Sequence, residues 1–63
     1  MKVNCDLCNR KELEEYFDAA TKMGPWGNLC PTCFKSFGLG LGTVREQQYR
    51  WNGDLGHYTK IAG

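Results

Sequence analysis

The stretches Cys5-Asp6-Leu7-Cys8 and Cys30-Pro31-Thr32-Cys33 share one spacing and contain every cysteine of the chain. Two C-x-x-C pairs separated by roughly 15–20 residues are typical of a zinc site, and here residues 9–29 lie between the pairs. A structural zinc ion takes four tetrahedral ligands, which four thiolates can supply. The sequence therefore predicts one structural Zn2+ ion, with two disulfides or free thiols as the alternative. The predicted ligands are Cys5, Cys8, Cys30 and Cys33.

The length of the chain makes such an ion important for folding. With 63 residues, the chain can form one domain at most, and a domain of about this size buries only about 60% of the surface that its unfolded form exposes. Domains below about 70–80 residues usually need a disulfide, a metal or a partner in addition to their core. A structural zinc ion contributes apparent binding energy on the order of 10 kcal/mol, which becomes folding energy.

The chain shows no sign of secretion or membrane insertion. A secretory signal combines a basic start with an apolar run of about 7–15 residues, and a membrane span needs about 20; neither run occurs here. We therefore expect a cytoplasmic protein without membrane contact. In that compartment thiols stay reduced, which favours thiolates on zinc over disulfides.

The net charge disfavours strong binding to phosphates. One zinc ion and four thiolates lower the formal net charge from +1 to −1. Nucleic-acid-binding modules are distinctly basic, with a pI above about 9. A nucleic acid is therefore only the second choice of partner.

The two cysteine pairs predict different local structures. Asn9 follows the first pair, and asparagine is the non-glycine residue that best accepts the left-handed conformation of a tight metal-binding turn. In the second pair, Pro31 suits the first position of a helix. Phe34 and Phe37 then share one helix face, and Gly38 provides a C-cap. We expect a loop knuckle at the first pair and a helix from about 31 to 37 at the second.

Residues 10–29 must fold back so that both pairs reach one ion. The spacing of Leu13, Tyr16 and Phe17 fits a helix face, but it also fits entry into a strand. Because a hairpin brings the two pairs together, we expect a strand at about 15–19 and a return strand within 19–29. Gly24-Pro25 indicates the turn or a strand edge. Trp26 is predicted to be the largest part of the core, shielding the sulfurs, with an exposed binding role as the alternative.

Nothing in the sequence favours an enzyme. A catalytic zinc ion keeps an open coordination position, whereas four thiolates fill the shell. We interpret the acidic residues at positions 12, 14, 15 and 18 as a solvated face, because so short a chain offers little material for a pocket that tunes a general acid or base. We therefore expect neither catalysis nor a small-molecule substrate.

The remaining residues form a C-terminal extension. We divide the chain into a zinc-finger core at 1–42 and an extension at 43–63 that packs on the core or projects from it. The glycine-rich stretch 38–43 is interpreted as an extended connection in which Leu39 and Leu41 could cover the core. Asn52-Gly53-Asp54 is typical of a hairpin turn, so 47–51 could pair with 55–61. His57 is interpreted as a surface residue rather than a fifth ligand.

These features resemble two groups of known proteins. A knuckle, a hairpin and a C-x-x-C that opens a helix form the treble-clef arrangement. Trp26 and residues 29–34 look like the tryptophan and second cysteine pair of GATA-type zinc fingers, a resemblance that covers 5–37. This chain has a longer spacing and no basic tail, so DNA binding does not carry over. Residues 21–33 and 38–43, with Gln48-Tyr49, also look like short uncharacterised proteins of tailed phages and prophages, which implies a phage cytoplasmic protein of undefined activity.

We therefore expect a small, metal-dominated α+β fold, a treble-clef-like zinc finger with an aromatic C-terminal tail. Its expected function is that of a non-enzymatic module that binds another protein, as an adaptor, inhibitor or regulator. Aromatic and arginine side chains are enriched at interface hot spots; they also stack on bases, which keeps nucleic acid as the alternative. The candidate partner-binding residues are Tyr49, Arg50, Trp51, Arg45 and Tyr58. As the alternative, Tyr49, Trp51 and Tyr58 complete a small core.

Overall fold

The computed structural model describes residues 2–21, 26–38 and 46–62. In chain order these form strand β1 (Glu15–Ala20), strand β2 (Trp26–Leu29), helix α1 (Pro31–Phe37), strand β3 (Gln47–Asn52) and strand β4 (His57–Ala62). The four strands make one antiparallel sheet in the order β2-β1-β3-β4. The predicted α+β class, strand β1 and the β1–β2 hairpin are thus confirmed.

Strand β1 shows why the sheet has two unlike faces. Successive side chains of a strand point to opposite faces. Phe17 and Ala19 are buried, whereas Tyr16 and Asp18 between them are only half-buried. We call the face that carries Phe17 the inner face and the face that carries Tyr16 the outer face. Helix α1 lies on the inner face, against β1 and β2.

Helix α1 begins and ends as predicted. Cys30 is its N-cap in an extended conformation, and Pro31 occupies the first turn. At the other end, the N–H of Gly38 donates to the carbonyl oxygen of Phe34 at 2.8 Å. Gly38 has φ −73°, so the backbone conformation there does not require glycine. Glycine is required instead by the lack of space, because a Cβ at this position would lie 2.6 Å from Cδ1 of the Phe34 ring.

The C-terminal hairpin joins the same sheet. Strand β3 pairs with β4 on one side and with β1 on the other, so the described part of this region is hydrogen-bonded to the first hairpin. In the turn, Oδ1 of Asn52 accepts from the N–H of Asp54 at 3.0 Å and of Leu55 at 3.2 Å, and Gly56 takes φ 72°. The predicted pairing of 47–51 with 55–61 is confirmed.

The hydrophobic core lies on the inner side of the sheet. The rings of Phe17 and Phe34 stack at a centroid distance of 3.9 Å. Burying an aromatic side chain contributes on the order of 2–3 kcal/mol, so this pair is a large part of so small a core. The buried core residues are Cys5, Leu13, Phe17, Ala19, Leu29, Cys30 and Cys33.

The prediction that Trp26 is the main core residue is wrong. Its side chain is 48% exposed, and its Nε1–H donates to Oδ1 of Asp18 at 2.6 Å. The reason is the register: Trp26 pairs with Ala20, which places it on the outer face, while the cysteine sulfurs lie on the inner side. The predictions for Gly24-Pro25, Leu39, Leu41 and Arg45 lie outside the described residues.

Candidate metal centre

The structure brings the four cysteine sulfurs together. All four Sγ atoms lie within 4.8 Å of one another, and those of Cys8 and Cys30 are 3.7 Å apart. The four cysteines are free thiols rather than disulfides. Three are buried, whereas Cys8 is exposed. The predicted ligands therefore form one cluster that could hold a metal ion.

The first metal turn is built from backbone hydrogen bonds. The N–H of Cys5 donates to the carbonyl of Arg10 at 2.9 Å, and the N–H of Asn9 donates to the carbonyl of Cys5 at 3.0 Å. Asn9 takes φ 67°, so the predicted left-handed residue is confirmed. This turn aims the N–H of Cys8 at the Sγ of Cys5, 3.5 Å away. Such N–H donors orient sulfur ligands and stabilise their negative charge.

In the second metal turn, the start of helix α1 supplies the N–H group that points at a sulfur. The N–H of Cys33 points at the Sγ of Cys30 at 3.4 Å, and the N–H of Phe34 donates to the carbonyl of Cys30 at 2.9 Å. The first N–H groups of a helix have no partner within the helix. Here the sulfur of Cys30 takes one of them.

Asp6 fastens the first turn to the strand that leads into the second. Its N–H donates to the carbonyl of Asn28 at 2.8 Å, and its Oδ2 accepts from the N–H of Asn28 at 2.8 Å. Gly27 permits this approach, because a Cβ there would lie 2.8 Å from Oδ2 of Asp6. This contact was not predicted from the sequence. Its only signal was a short acceptor side chain inside the first C-x-x-C.

The pKa values of two cysteines show how the cluster responds to the charge of its sulfurs. Burial opposes ionisation of Cys5, but N–H donors from Cys8, Cys30 and Leu7 outweigh it and lower the Cys5 pKa to about 6. Burial and the neighbouring cysteine sulfurs raise the Cys33 pKa to about 12. Burial and the neighbouring sulfurs therefore oppose ionisation of Cys33 in the absence of a compensating positive charge. A divalent ion supplies that charge, so the donor set fits a metal.

The predicted partner-binding residues are divided between the two faces. Tyr49, Trp51 and Tyr58 lie on the outer face. Arg50 is exposed on the inner face, with its Nη2 3.6 Å from Oε1 of Glu15. Arg45 lies outside the described residues. The structure thus groups three of the five candidates and separates Arg50 from them.

The outer face carries a continuous layer of aromatic rings. Tyr16 and Tyr49 stack at 5.1 Å. Tyr58 meets Tyr16 edge-on at 4.7 Å and Trp51 edge-on at 5.1 Å. The Nζ of Lys2 lies 5.4 Å from the centre of the Trp51 ring. Tyr16 was not among the predicted partner-binding residues, although the alternation of side chains along β1 places it on the face opposite Phe17.

One of these rings also supports the first metal turn. The hydroxyl of Tyr58 accepts from the N–H of Val3 at 3.0 Å and donates to the carbonyl of Leu13 at 2.5 Å. The N–H of Leu13 donates to the carbonyl of Val3 at 2.8 Å. Tyr58 therefore connects the base of the knuckle to the C-terminal hairpin, which agrees with the alternative prediction of a structural role for this residue.

Three titratable groups outside the sulfur cluster differ in burial and in hydrogen-bond partners. His57 is exposed, and its Nδ1 donates to the carbonyl of Tyr58 at 2.9 Å, away from the sulfur cluster. Glu14 is exposed and pairs with Lys2. Glu46 is fully buried, and neither of its carboxylate oxygens has a hydrogen-bond partner among the described residues.

Comparison of the chain with protein-family models, curated proteins and solved structures found no match. Helix α1, with its seven residues, is far too short to cross a membrane, and no other helix within the described residues has the required length and apolar character.

Proposed function

We propose that this protein is a non-enzymatic binding module, held together by one structural zinc ion, that acts by contacting another protein. Four thiolates are a donor set that selects zinc or an iron–sulfur centre among the metals of the cell. Tetrahedral zinc with Zn–S bonds of about 2.3 Å places its sulfurs about 3.8 Å apart. The 3.7 Å between the sulfurs of Cys8 and Cys30 is compatible with this geometry.

The order of the elements supports a treble-clef class of finger. A loop knuckle, the β1–β2 hairpin and a C-x-x-C at the start of α1 follow one another in that order. On this proposal all four cysteines serve the structure and leave no open position for catalysis. The resemblance to short phage proteins makes a host cytoplasmic protein the first partner to seek.

The observation that carries the protein-binding function is the outer face of the sheet. It combines half-exposed tyrosine and tryptophan rings with Trp26, whose side chain is 48% exposed. No described helix or strand covers it. Tyrosine and tryptophan are enriched at protein interfaces. The described charged residues on this face are few, namely Asp18, Lys60 and Lys2, of which Lys2 is paired with Glu14.

Affinity capture with a matched pair of variants tests this function. Trp26→Ser removes an exposed ring from the outer face, and Phe37→Ser removes a ring of similar exposure, 40%, from α1 on the other side. We expect Trp26→Ser to lose the captured protein and Phe37→Ser to retain it, with unchanged zinc content in both. Equal capture by both variants would contradict a role for the outer face.

Nucleic acid is the second candidate, favoured by one contact. Lys2 lies over the ring of Trp51, and a cation beside an aromatic ring is typical of surfaces on which bases stack. Fluorescence anisotropy with a labelled single-stranded oligonucleotide separates the two functions. Binding through phosphates weakens steeply as salt rises. No binding at low salt would eliminate this candidate.

A further inference from the structure

The four cysteines of the candidate metal centre differ in their access to solvent. Cys8 is exposed, whereas the other three are at most 6% exposed. Reactivity of a cysteine towards oxidants follows the thiolate character and the exposure of its sulfur. With zinc bound, all four sulfurs are thiolates, because the metal takes the deprotonated form. Exposure therefore distinguishes Cys8 as the sulfur that a dissolved oxidant reaches first.

A second sulfur lies beside that of Cys8, from the other metal turn. The Sγ atoms of Cys8 and Cys30 are 3.7 Å apart. The sulfur of Cys5 is held differently, because backbone N–H groups of three residues, Leu7, Cys8 and Cys30, donate to it. Such donors lower the basicity of a sulfur, and its nucleophilicity falls with its basicity. Cys30 is therefore the better placed nucleophile towards an oxidised Cys8.

We propose that Cys8 is an oxidation site through which hydrogen peroxide releases the metal, with Cys30 as the second sulfur of the disulfide that forms. The thiolate of Cys8 attacks one peroxide oxygen, the O–O bond breaks, hydroxide leaves and a sulfenic acid remains. The thiolate of Cys30 then attacks the Cys8 sulfur, the S–S bond forms, the S–O bond breaks and a second hydroxide leaves. The peroxide gains two electrons, each sulfur gives up one, and two protons from solvent turn both hydroxides into water.

This oxidation takes one ligand from each metal turn and links the knuckle to the N-cap of α1. The sulfurs of Cys5 and Cys33 that remain cannot complete a tetrahedral shell, so zinc leaves. A dithiol reductant returns two electrons and two protons and restores the site when zinc is present. Cytosolic disulfides are usually transient and often redox-sensing, in keeping with such a reversible step. The inference rests on the zinc ion of the proposed function and adds a means of regulating it.

Peptide mapping of the wild-type chain tests the proposal. Zinc-loaded protein, its metal content measured by native mass spectrometry, is treated with hydrogen peroxide while a colorimetric chelator reports released zinc. Trypsin cleaves after lysine and arginine, so the first cysteine pair falls in peptide 3–10 and the second in peptide 23–35. We expect a disulfide between the two peptides, located at Cys8 and Cys30 by fragmentation and formed in step with zinc release. A disulfide within either peptide, or zinc release without a disulfide, would overturn the assignment.

Two ligand variants provide a matched comparison. Cys8→His and Cys33→His each keep four ligands, since imidazole also binds zinc. Once circular dichroism and zinc content show that both are folded, we expect peroxide to release zinc from Cys8→His at least about tenfold more slowly than from wild type. Release from Cys33→His, which keeps Cys8 and Cys30, should match wild type. Equal rates in all three proteins would overturn the role of Cys8.

Brief alkylation of the zinc-loaded wild type needs no variant to fold. Limiting iodoacetamide should modify Cys8 before the other cysteines, because access decides the order of reaction. Preferential labelling of a buried cysteine would overturn the inference. The same preparations separate this inference from the proposed function. A chain that binds no zinc overturns both, whereas a zinc-loaded chain whose metal peroxide does not release overturns the oxidation site alone.

Discussion

The inner and outer faces of the same four strands are packed in different ways. On the inner face, Phe17, Ala19 and Leu29 are at most 7% exposed and pack with α1 and the metal turns. On the outer face, Tyr16 and Tyr49 stack on one another and remain half-exposed. Within the described residues, the inner face is covered by α1 and the two cysteine turns, whereas the outer face is covered by its own rings and by Lys2, Val3 and Leu13, which contact Trp51 and Tyr58. The stability of the fold is thus concentrated on one face, and the surface suited to binding on the other.

The length of α1 explains the difference. A seven-residue helix is about 10 Å long at 1.5 Å per residue, and it packs on β1 and β2 only. Among the described residues, no second helix covers the rest of the sheet. Substitutions that compare the two faces test this description.

The largest effect is expected from Cys30→Ser on the inner side. Removing one ligand loses most of the folding energy that the ion supplies, on the order of 10 kcal/mol. We expect loss of bound zinc in native mass spectrometry and an unfolded circular dichroism spectrum. Thr32→Ser, an exposed change in the same turn, should behave as wild type. A Cys30→Ser protein that stays folded without metal would contradict the role of the ion.

The second-largest loss of stability is expected from Phe17→Ala on the inner face, compared with Tyr49→Ala on the outer face. Phe17→Ala removes a ring that is 7% exposed and should lower the free energy of unfolding by about 3–5 kcal/mol. Tyr49→Ala removes a half-exposed outer ring and should cost about 1–2 kcal/mol. Denaturant unfolding at fixed zinc concentration measures both. Equal losses would show that the outer rings form a second core.

Tyr58→Phe tests the contact between the outer face and the first metal turn. The change leaves the N–H of Val3 and the carbonyl of Leu13 without their shared partner, which should cost about 1–2 kcal/mol. Zinc should also pass to a chelator faster than from wild type. Tyr49→Phe is the control, because that hydroxyl donates only to Gln47, two residues away on the same strand. Identical zinc release from both variants would contradict the link.

Glu46→Gln should stabilise the protein. Its buried carboxylate has no partner among the described residues, and an unpaired buried charge is costly. We expect a gain of about 1 kcal/mol, seen as a higher thermal midpoint. Glu15→Gln is the control, since Glu15 has partners in Arg50 and Gln48 and should gain nothing. A clear loss of stability in Glu46→Gln would mean that the native carboxylate is held by a favourable contact.

The smallest effect is expected from Trp26→Phe. Because the indole is 48% exposed, the change should alter the free energy of unfolding by less than about 0.5 kcal/mol. A loss of several kcal/mol in denaturant unfolding would restore the interpretation of Trp26 as a core residue.

The local features of the metal site could be predicted because their causes are local. The left-handed turn at Asn9 and the helix that begins at Pro31 depend on backbone preferences within a few residues. Trp26 was assigned wrongly because its size suggested burial, while its face depends on the register with Ala20. Arg50 was grouped with Trp51 by composition alone, although adjacent residues of a strand point to opposite faces.

By itself, the sequence determined the four candidate ligands, the two unlike metal turns, the helix and the C-terminal turn, since each follows from spacing and conformational preference along a short stretch. Only the tertiary structure decided that β3 lies beside β1. That pairing places Tyr16 on Tyr49 and completes the aromatic outer face. Strand pairing joins distant parts of the chain, and a shift of one residue would move every side chain to the other face. The face on which each aromatic residue lies is therefore a property of the folded sheet.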